Sequence, residues 1–370
     1  MAHPQLSRNS SRGFWLTGGV LVTPTGTIRG AVRVAQGRIA AIQPAAPKHA
    51  QTLSAKGCYI APGFIDLHIW GEPVTVAKDI VRTGTTGFLT TLGPALKGSL
   101  LDALSWRATH LPSGAAECLG FHLEGPFVNS QRSGALPRQG MRAPTVHELE
   151  KLQRASLKKL KVLTLAPELS GATAAIGWCR RQKIAVSLGH SLADAKTASQ
   201  AVDAGASLVT HIFNGMPGFH HRKPSLLDAA LLDRRLTTMV IADGIHTSAE
   251  ALKLLFRIKG PKQVALVTDS IRHQGWDVVS KGGAYYTRDG TLAGSQLTLL
   301  EAVKNMVELA GVPLCDAVSM ASEVPARVLG LAQSRGTIAA GKRADLVAFD
   351  SGYKAHWTMI GGRMAYQRGN

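Results

Sequence analysis

A chain of 370 residues with 45% hydrophobic content is long and apolar enough to bury one large core with a smaller attachment, which excludes a disordered or peptide-like protein. A net charge of +18 would suit a polyanion binder, but Lys and Arg are spread along the chain in short clusters only (Lys158, Lys159, Lys161; Arg180, Arg181, Lys183). Aromatic residues, at 5%, are too few for base-stacking platforms, so no nucleic-acid partner is expected. No apolar run approaches the roughly 20 residues of a membrane span and the opening MAHPQLSRNSSRG lacks an apolar signal core, so no membrane partner and a cytoplasmic location are expected. Cys58, Cys118, Cys179 and Cys315 are scattered without a C-x-x-C pair and fit a reducing compartment.

Residues 1–62 read as short strands and turns. FWLTGGVLVTP is followed by TIRGAVRVAQGRIAAIQ, in which Gly37 supplies a hairpin turn between alternating apolar positions. Residues 331–370 repeat that style in GTIAAGKRADLVAFD and TMIGGRMAYQ, so the two chain ends are expected to pair in one small β-sandwich. Between them, over residues 63–330, eight apolar, β-branched runs each close on a polar or small residue. They are GFIDLH to His68, GFLTTL to Leu92, CLGFHLE to Glu124, VLTLAPE to Glu168, AVSLGH to His190, SLVTHIFN to Asn214, MVIADGIH to His246 and ALVTDS to Asp269. Helical periodicity fills the intervals, as in Thr145 to Leu160, which opens on the capping box Thr145, Val146, His147, Glu148, and in Ser248 to Ile258. The alternation predicts an α/β fold, a (β/α)8 TIM barrel, beside the β-sandwich.

Such barrels carry their chemistry at the carboxyl ends of different strands, where the titratable residues of this chain gather. Glu124, His190 and His211 arise at three separate strand ends of one barrel face, and a carboxylate with two imidazoles and one open position is a common ligand set for a catalytic divalent ion. Any one of these histidines alone would be read as structural; three strand ends on one face point to a site. Zinc is the first expectation, with iron, manganese and cobalt compatible with the same donors. The ion would make hydroxide available at neutral pH, with Asp269 taking the proton from water and returning it to an amine leaving group. His246 is placed to polarise a carbonyl, and Arg222, in HHRKP, is a fork for a phosphate or carboxylate. Gly125 and Pro126 force a turn directly after Glu124. His68 is a candidate for a second ion, but Trp70 stands where the partner of an H-x-H pair would be, so one ion per chain is expected and His68 reads as a remnant.

Taken together, the phrases APGFIDLH, GFHLEGPFVN, TLAPE, SLGHSLADA, VTHIFNGM, HHRKP, IADGIH, LVTDS, LAGSQLTLLEAV and GKRADLVAFD resemble the N-acetylglucosamine-6-phosphate deacetylases of the amidohydrolase superfamily over nearly the whole chain. The resemblance implies hydrolysis of the N-acetyl amide of a phosphorylated amino sugar. It implies a metal on Glu124, His190 and His211, Asp269 as general base and acid, and substrate contacts from Asn214, Gly215, His221 and His246. Arg222 would grip the phosphate, reaching across the interface of a homodimer. The chain departs from the pattern at Trp70, in the loop after the first strand, at Leu136 where a histidine is usual, and at Lys223 where an acid is usual. These changes surround the substrate rather than the metal. Rival readings are therefore an N-acetylgalactosamine-6-phosphate deacetylase, a deacetylase of another N-acyl metabolite, and a lapsed enzyme that only binds sugar phosphate.

Overall fold

Eight parallel strands follow one another in chain order around a closed sheet: β1 (Phe64–Trp70), β2 (Thr85–Leu92), β3 (Glu117–Glu124), β4 (Leu160–Leu165), β5 (Ala185–Leu188), β6 (Leu208–Val209), β7 (Thr237–Ile241) and β8 (Val264–Val267). The computed structural model describes residues 13–94, 99–272 and 277–369. The ring closes just beyond β8, where the Asp269 N–H donates to the His68 carbonyl at 2.9 Å and Ser270 pairs in parallel with Ile69. β1 and β2 are buried along their whole length, which is why they read as unbroken apolar runs: helices cover the outer face and the barrel interior the other. Each strand is followed by a helix: α1 (Pro73–Ile80), α2 (Leu100–Thr109), α3 (Val146–Ala155), α4 (Ala172–Arg181), α5 (Ala195–Ala204), α6 (Leu226–Leu232), α7 (Ala249–Lys259) and α8 (Leu299–Glu308). The expected TIM barrel is present. No helix among the described residues is long and apolar enough to cross a membrane.

Three local differences have physical causes. α3 starts after Thr145, whose hydroxyl accepts the Glu148 N–H at 3.2 Å, but ends at Ala155 rather than Leu160. Leu157 and Lys158 turn left-handed (φ 49° and 59°), and Leu160 already opens β4. The polar residues expected to end strands β5, β6 and β8 lie beyond the last paired residue, because the backbone at His190, His211 and Asp269 also turns left-handed (φ 47°, 22° and 48°). Between β8 and α8 a hairpin extended by a third antiparallel strand intervenes, built from Val278–Lys281, Ala284–Thr287 and Leu292–Ser295, whose short, half-exposed strands give little apolar signal.

The chain ends form two facing sheets. One joins Phe14–Thr17, Ala31–Ala35, Arg38–Gln43 and Thr52–Ser54; the other joins Val20–Thr23, Gly26–Arg29 and Tyr59–Pro62 to the C-terminal Leu346–Phe349, Ala355–Ile360 and Arg363–Gln367. Leu16, Leu21, Val32, Ile60, Leu346 and Trp357 pack between them. The hairpin expected at Gly37 is there, with Gln36 and Gly37 both at positive φ (51° and 75°), the conformation a two-residue hairpin turn needs.

Candidate active site

Glu124, His190 and His211 meet at the carboxyl end of the barrel, all buried, with Glu124 Oε1 3.0 Å from His190 Nε2 and 2.7 Å from His211 Nε2. His190 Nδ1 lies 2.7 Å from the carbonyl oxygen of Arg132, which can only accept, so Nδ1 carries the hydrogen and the neutral ring turns the lone pair of Nε2 onto Glu124. Two acceptors at that distance repel unless a proton or a metal cation lies between them. The spacings also approach the ~3.4 Å that separates two ligands held about 2.1 Å from a tetrahedral ion. The residues therefore fit a divalent metal, and a buried cluster of this composition is a metal-type site. Burial alone would push the Glu124 carboxyl up, but His68, His190 and His211 around it hold it well below the usual carboxylate range. Burial disfavours the charged His190 ring, and Glu124 more than offsets that, so both residues report the same demand for positive charge. Left-handed backbone at His190 and His211 costs about 1–3 kcal/mol each and persists where surrounding structure over-determines it. Here the supports include Thr210 N–H on the Leu188 carbonyl at 2.9 Å and Ser191 N–H on the Gly215 carbonyl at 3.0 Å.

Asp269 stands beside this cluster. Its Oδ1 accepts the Trp70 indole N–H at 3.0 Å and lies 3.0 Å from His68 Nε2, which is also 3.4 Å from Glu124 Oε2. Two buried residues behind His68 escaped the sequence reading. Burial, with the nearby His68 behind it, pushes the His122 ring down to about 3, so it is neutral; Leu67 O at 2.8 Å takes its Nδ1–H, and Nε2 accepts the Thr164 hydroxyl at 2.8 Å. His68 Nδ1 lies 3.1 Å from His122 Nδ1, and although burial disfavours the charged His68 ring, the Glu124 and Asp269 carboxylates that its Nε2 faces more than offset this and push it up to about 10. Asp66, pushed up to about 6 by burial, accepts the Thr268 hydroxyl at 2.6 Å and the His68 N–H at 3.1 Å. The signal that finds both is strand period: Asp66 and His122 precede His68 and Glu124 by two residues and so share their face.

Asn214, Gly215 and His246 line the same cavity, about 110 Å³, as do the divergent Trp70 and Leu136; Leu292 and Ala293 of the inserted hairpin complete a wall that sequence reading missed. His246 donates Nδ1–H to Asp243 at 2.6 Å, leaving Nε2 as its other polar atom. Burial would raise the Asp243 carboxyl, but the His246 hydrogen bond and charge, with two backbone N–H groups, hold it below its ordinary value. His221 and Arg222 are not brought in. They are exposed on the segment between β6 and α6, the His220 and His221 rings stacked with centroids 5.1 Å apart.

A model of the amidohydrolase family matches residues 59–365. This chain belongs to the amidohydrolase family. An N-acetylglucosamine-6-phosphate deacetylase of Bacillus subtilis (strain 168) is 34% identical over 94% of this chain and 95% of its own length. An N-acetylgalactosamine-6-phosphate deacetylase of Escherichia coli O157:H7 is 36% identical over 90% of this chain and 94% of its own. Among solved structures, an aspartate-to-alanine mutant of the N-acetyl-D-glucosamine-6-phosphate deacetylase of Mycobacterium smegmatis, in complex with N-acetyl-D-glucosamine-6-phosphate, superposes with a TM-score of 0.86 at 28% identity, covering 96% of this chain and all of its own. The amidohydrolase is thus a carbon–nitrogen hydrolase like the N-acetylglucosamine-6-phosphate deacetylases, with a buried metal-type cluster at the barrel mouth.

Proposed function

We propose that this amidohydrolase removes the acetyl group from N-acetylglucosamine 6-phosphate, giving glucosamine 6-phosphate and acetate. The carrying observation is that Glu124, His190, His211 and Asp269, far apart in sequence, border one cavity. Glu124, His190 and His211 would hold the divalent ion, zinc before iron, manganese or cobalt, which supplies a Lewis acid for the amide carbonyl and lowers the pKa of water. The Asp269 carboxylate takes the proton from the attacking water and delivers it to the amide nitrogen, so that the amine leaves neutral. His246, oriented by Asp243, offers Nε2 to the substrate, and Asn214 with the Gly215 backbone positions the sugar. Arg222 and His221 are exposed and outside the cavity, and in a homodimer they would serve a neighbouring copy's phosphate.

A second reading exchanges the sugar for N-acetylgalactosamine 6-phosphate, favoured by the 36% identity to the Escherichia coli relative and by Trp70 and Leu136 in the cavity wall. Acetate release from the two phosphorylated sugars and from unphosphorylated N-acetylglucosamine, with metal analysis of the purified enzyme, separates them. The glucosamine derivative is expected to be turned over fastest. Faster release from the galactosamine derivative selects the second reading; no release from either removes both; equal rates without phosphate remove Arg222 from its role.

A further inference from the structure

We propose that Trp70 is a positioning residue for Asp269: its indole N–H occupies Oδ1 of that carboxylate, so that Oδ2 is the oxygen that takes and returns the proton. The proton-transfer part rests on the deacetylase reading above; the hydrogen bond does not.

An indole nitrogen donates and cannot accept or ligate a cation. At position 70 it can therefore only donate, where a histidine could also accept or hold a cation. It spends its one hydrogen on Asp269 Oδ1, at 3.0 Å in a buried setting. His68 Nε2 lies 3.0 Å from the same oxygen without making a hydrogen bond to it, so the indole is the donor that engages Oδ1. A carboxylate oxygen that already accepts an indole N–H is the weaker base of the pair, and the other oxygen is left as the stronger base. The indole N–H also restrains the plane of the carboxylate, which matters because proton transfer needs its acceptor within hydrogen-bond reach of water and then of nitrogen.

Packing holds the indole in place. Trp70, Val128, Leu136 and Ile271 form a small buried cluster with Met141 and Tyr285 against it. Gly93 closes the fit: a Cβ there would lie 2.9 Å from Trp70 Cη2 and 3.0 Å from the Glu124 carbonyl oxygen, so the ring leaves room for hydrogen only. Leu136, the other divergent residue, belongs to this same cluster. The two departures thus meet in one apolar cluster.

The test uses the metal-loaded enzyme, wild type, Trp70→Phe, and a form in which sulfur replaces the indole nitrogen of Trp70 (the benzothiophene analogue), which keeps the shape and deletes the N–H. With N-acetylglucosamine 6-phosphate, kcat is expected to fall about 10- to 100-fold in both altered forms, the range typical for removing a partner that orients a functional group. KM should stay within about threefold and metal content should be unchanged. A second readout needs no substrate: in enzyme labelled with ¹⁵N-tryptophan, the indole resonance lost in Trp70→Phe is expected to shift on Asp269→Asn. A sulfur analogue with kcat within twofold of wild type, or a Trp70 resonance indifferent to Asp269→Asn, overturns the proposal. A wild-type enzyme that releases no acetate overturns the deacetylase reading instead, and the resonance still decides the Trp70–Asp269 contact.

Discussion

Asp269 and His211 make opposite predictions although both border the same cavity. Asp269 touches Trp70 and His68 and is assigned the proton, not the ion. Asp269→Asn keeps an oxygen for the Trp70 N–H but loses basicity. It is expected to lower turnover by about 10²–10⁴-fold, the range of general acid–base contributions, with metal content intact by elemental analysis. Near-normal acetate release would remove Asp269 from the mechanism. His211 turns Nε2 to Glu124 at 2.7 Å, and its Nδ1 has no hydrogen-bond partner among the described residues, so the ring's only visible task is at the cluster. His211→Ala is expected to emerge from purification without stoichiometric metal, and a fully loaded variant would strike His211 from the ligand set.

At the scale of elements, the site depends on loops that aim side chains set at strand ends. The turn Ser130–Arg132 lends the carbonyl that fixes the His190 tautomer, and the segment after β6 passes so close that a Cβ on Gly215 would stand 3.0 Å from His190 Nδ1, at a φ of +65° that other residues rarely adopt. Gly215→Ala is therefore expected to displace the His190 ring and weaken metal affinity about 10- to 100-fold, measured by competition with a chelator, while the fold survives. Unchanged affinity would show that the loop can retreat at little cost. These loops also mark the limit of what the sequence discloses. The eight strands were legible because burial on both faces forces continuous apolar runs, and Glu124, His190, His211 and Asp269 because a charged residue ending such a run has few structural uses. The left-handed turns at His190, His211 and Asp269 carry no residue signature, so strand ends were read two to five residues late. Trp70 was read only as a missing ligand; that its N–H reaches Asp269, 199 positions away, is a fact of barrel closure that no local pattern contains.

Across the whole molecule, the end of the barrel away from the site is tied to the C-terminal segment by one charge network. Glu117, the first residue of β3, accepts Arg335 at 2.6 Å and Arg343 at 2.5 Å on the same oxygen. Arg343 Nε pairs with Asp345 at 3.1 Å, and Asp345 in turn accepts the Gly361 N–H on its side chain and the Gly63 N–H on its carbonyl, linking both chain ends to the start of β1. Burial would raise the Glu117 carboxyl, but hydrogen bonds from Arg335 and Arg343 bring it below its ordinary value. A carboxylate more acidic folded than unfolded stabilises the fold above its unfolded pKa of roughly 4.3, and that contribution is lost as pH falls through the folded value. Asp345 has the opposite sign, since burial raises it against the pull of Arg343 and Arg335, and a substitution at Glu117 leaves it in place. Glu117→Gln is expected to cost about 1 kcal/mol at pH 7, the upper end for a pair partly screened by solvent. The penalty should shrink from pH 5 downward, read as converging thermal midpoints of variant and wild type. A penalty that stays constant with pH would mean that Glu117 acts through shape and hydrogen bonding rather than charge. Metal content should not change at either pH 7 or pH 5.5, because the network lies at the strand starts, whereas Glu124, seven residues on, holds its histidines at the other end of the same strand.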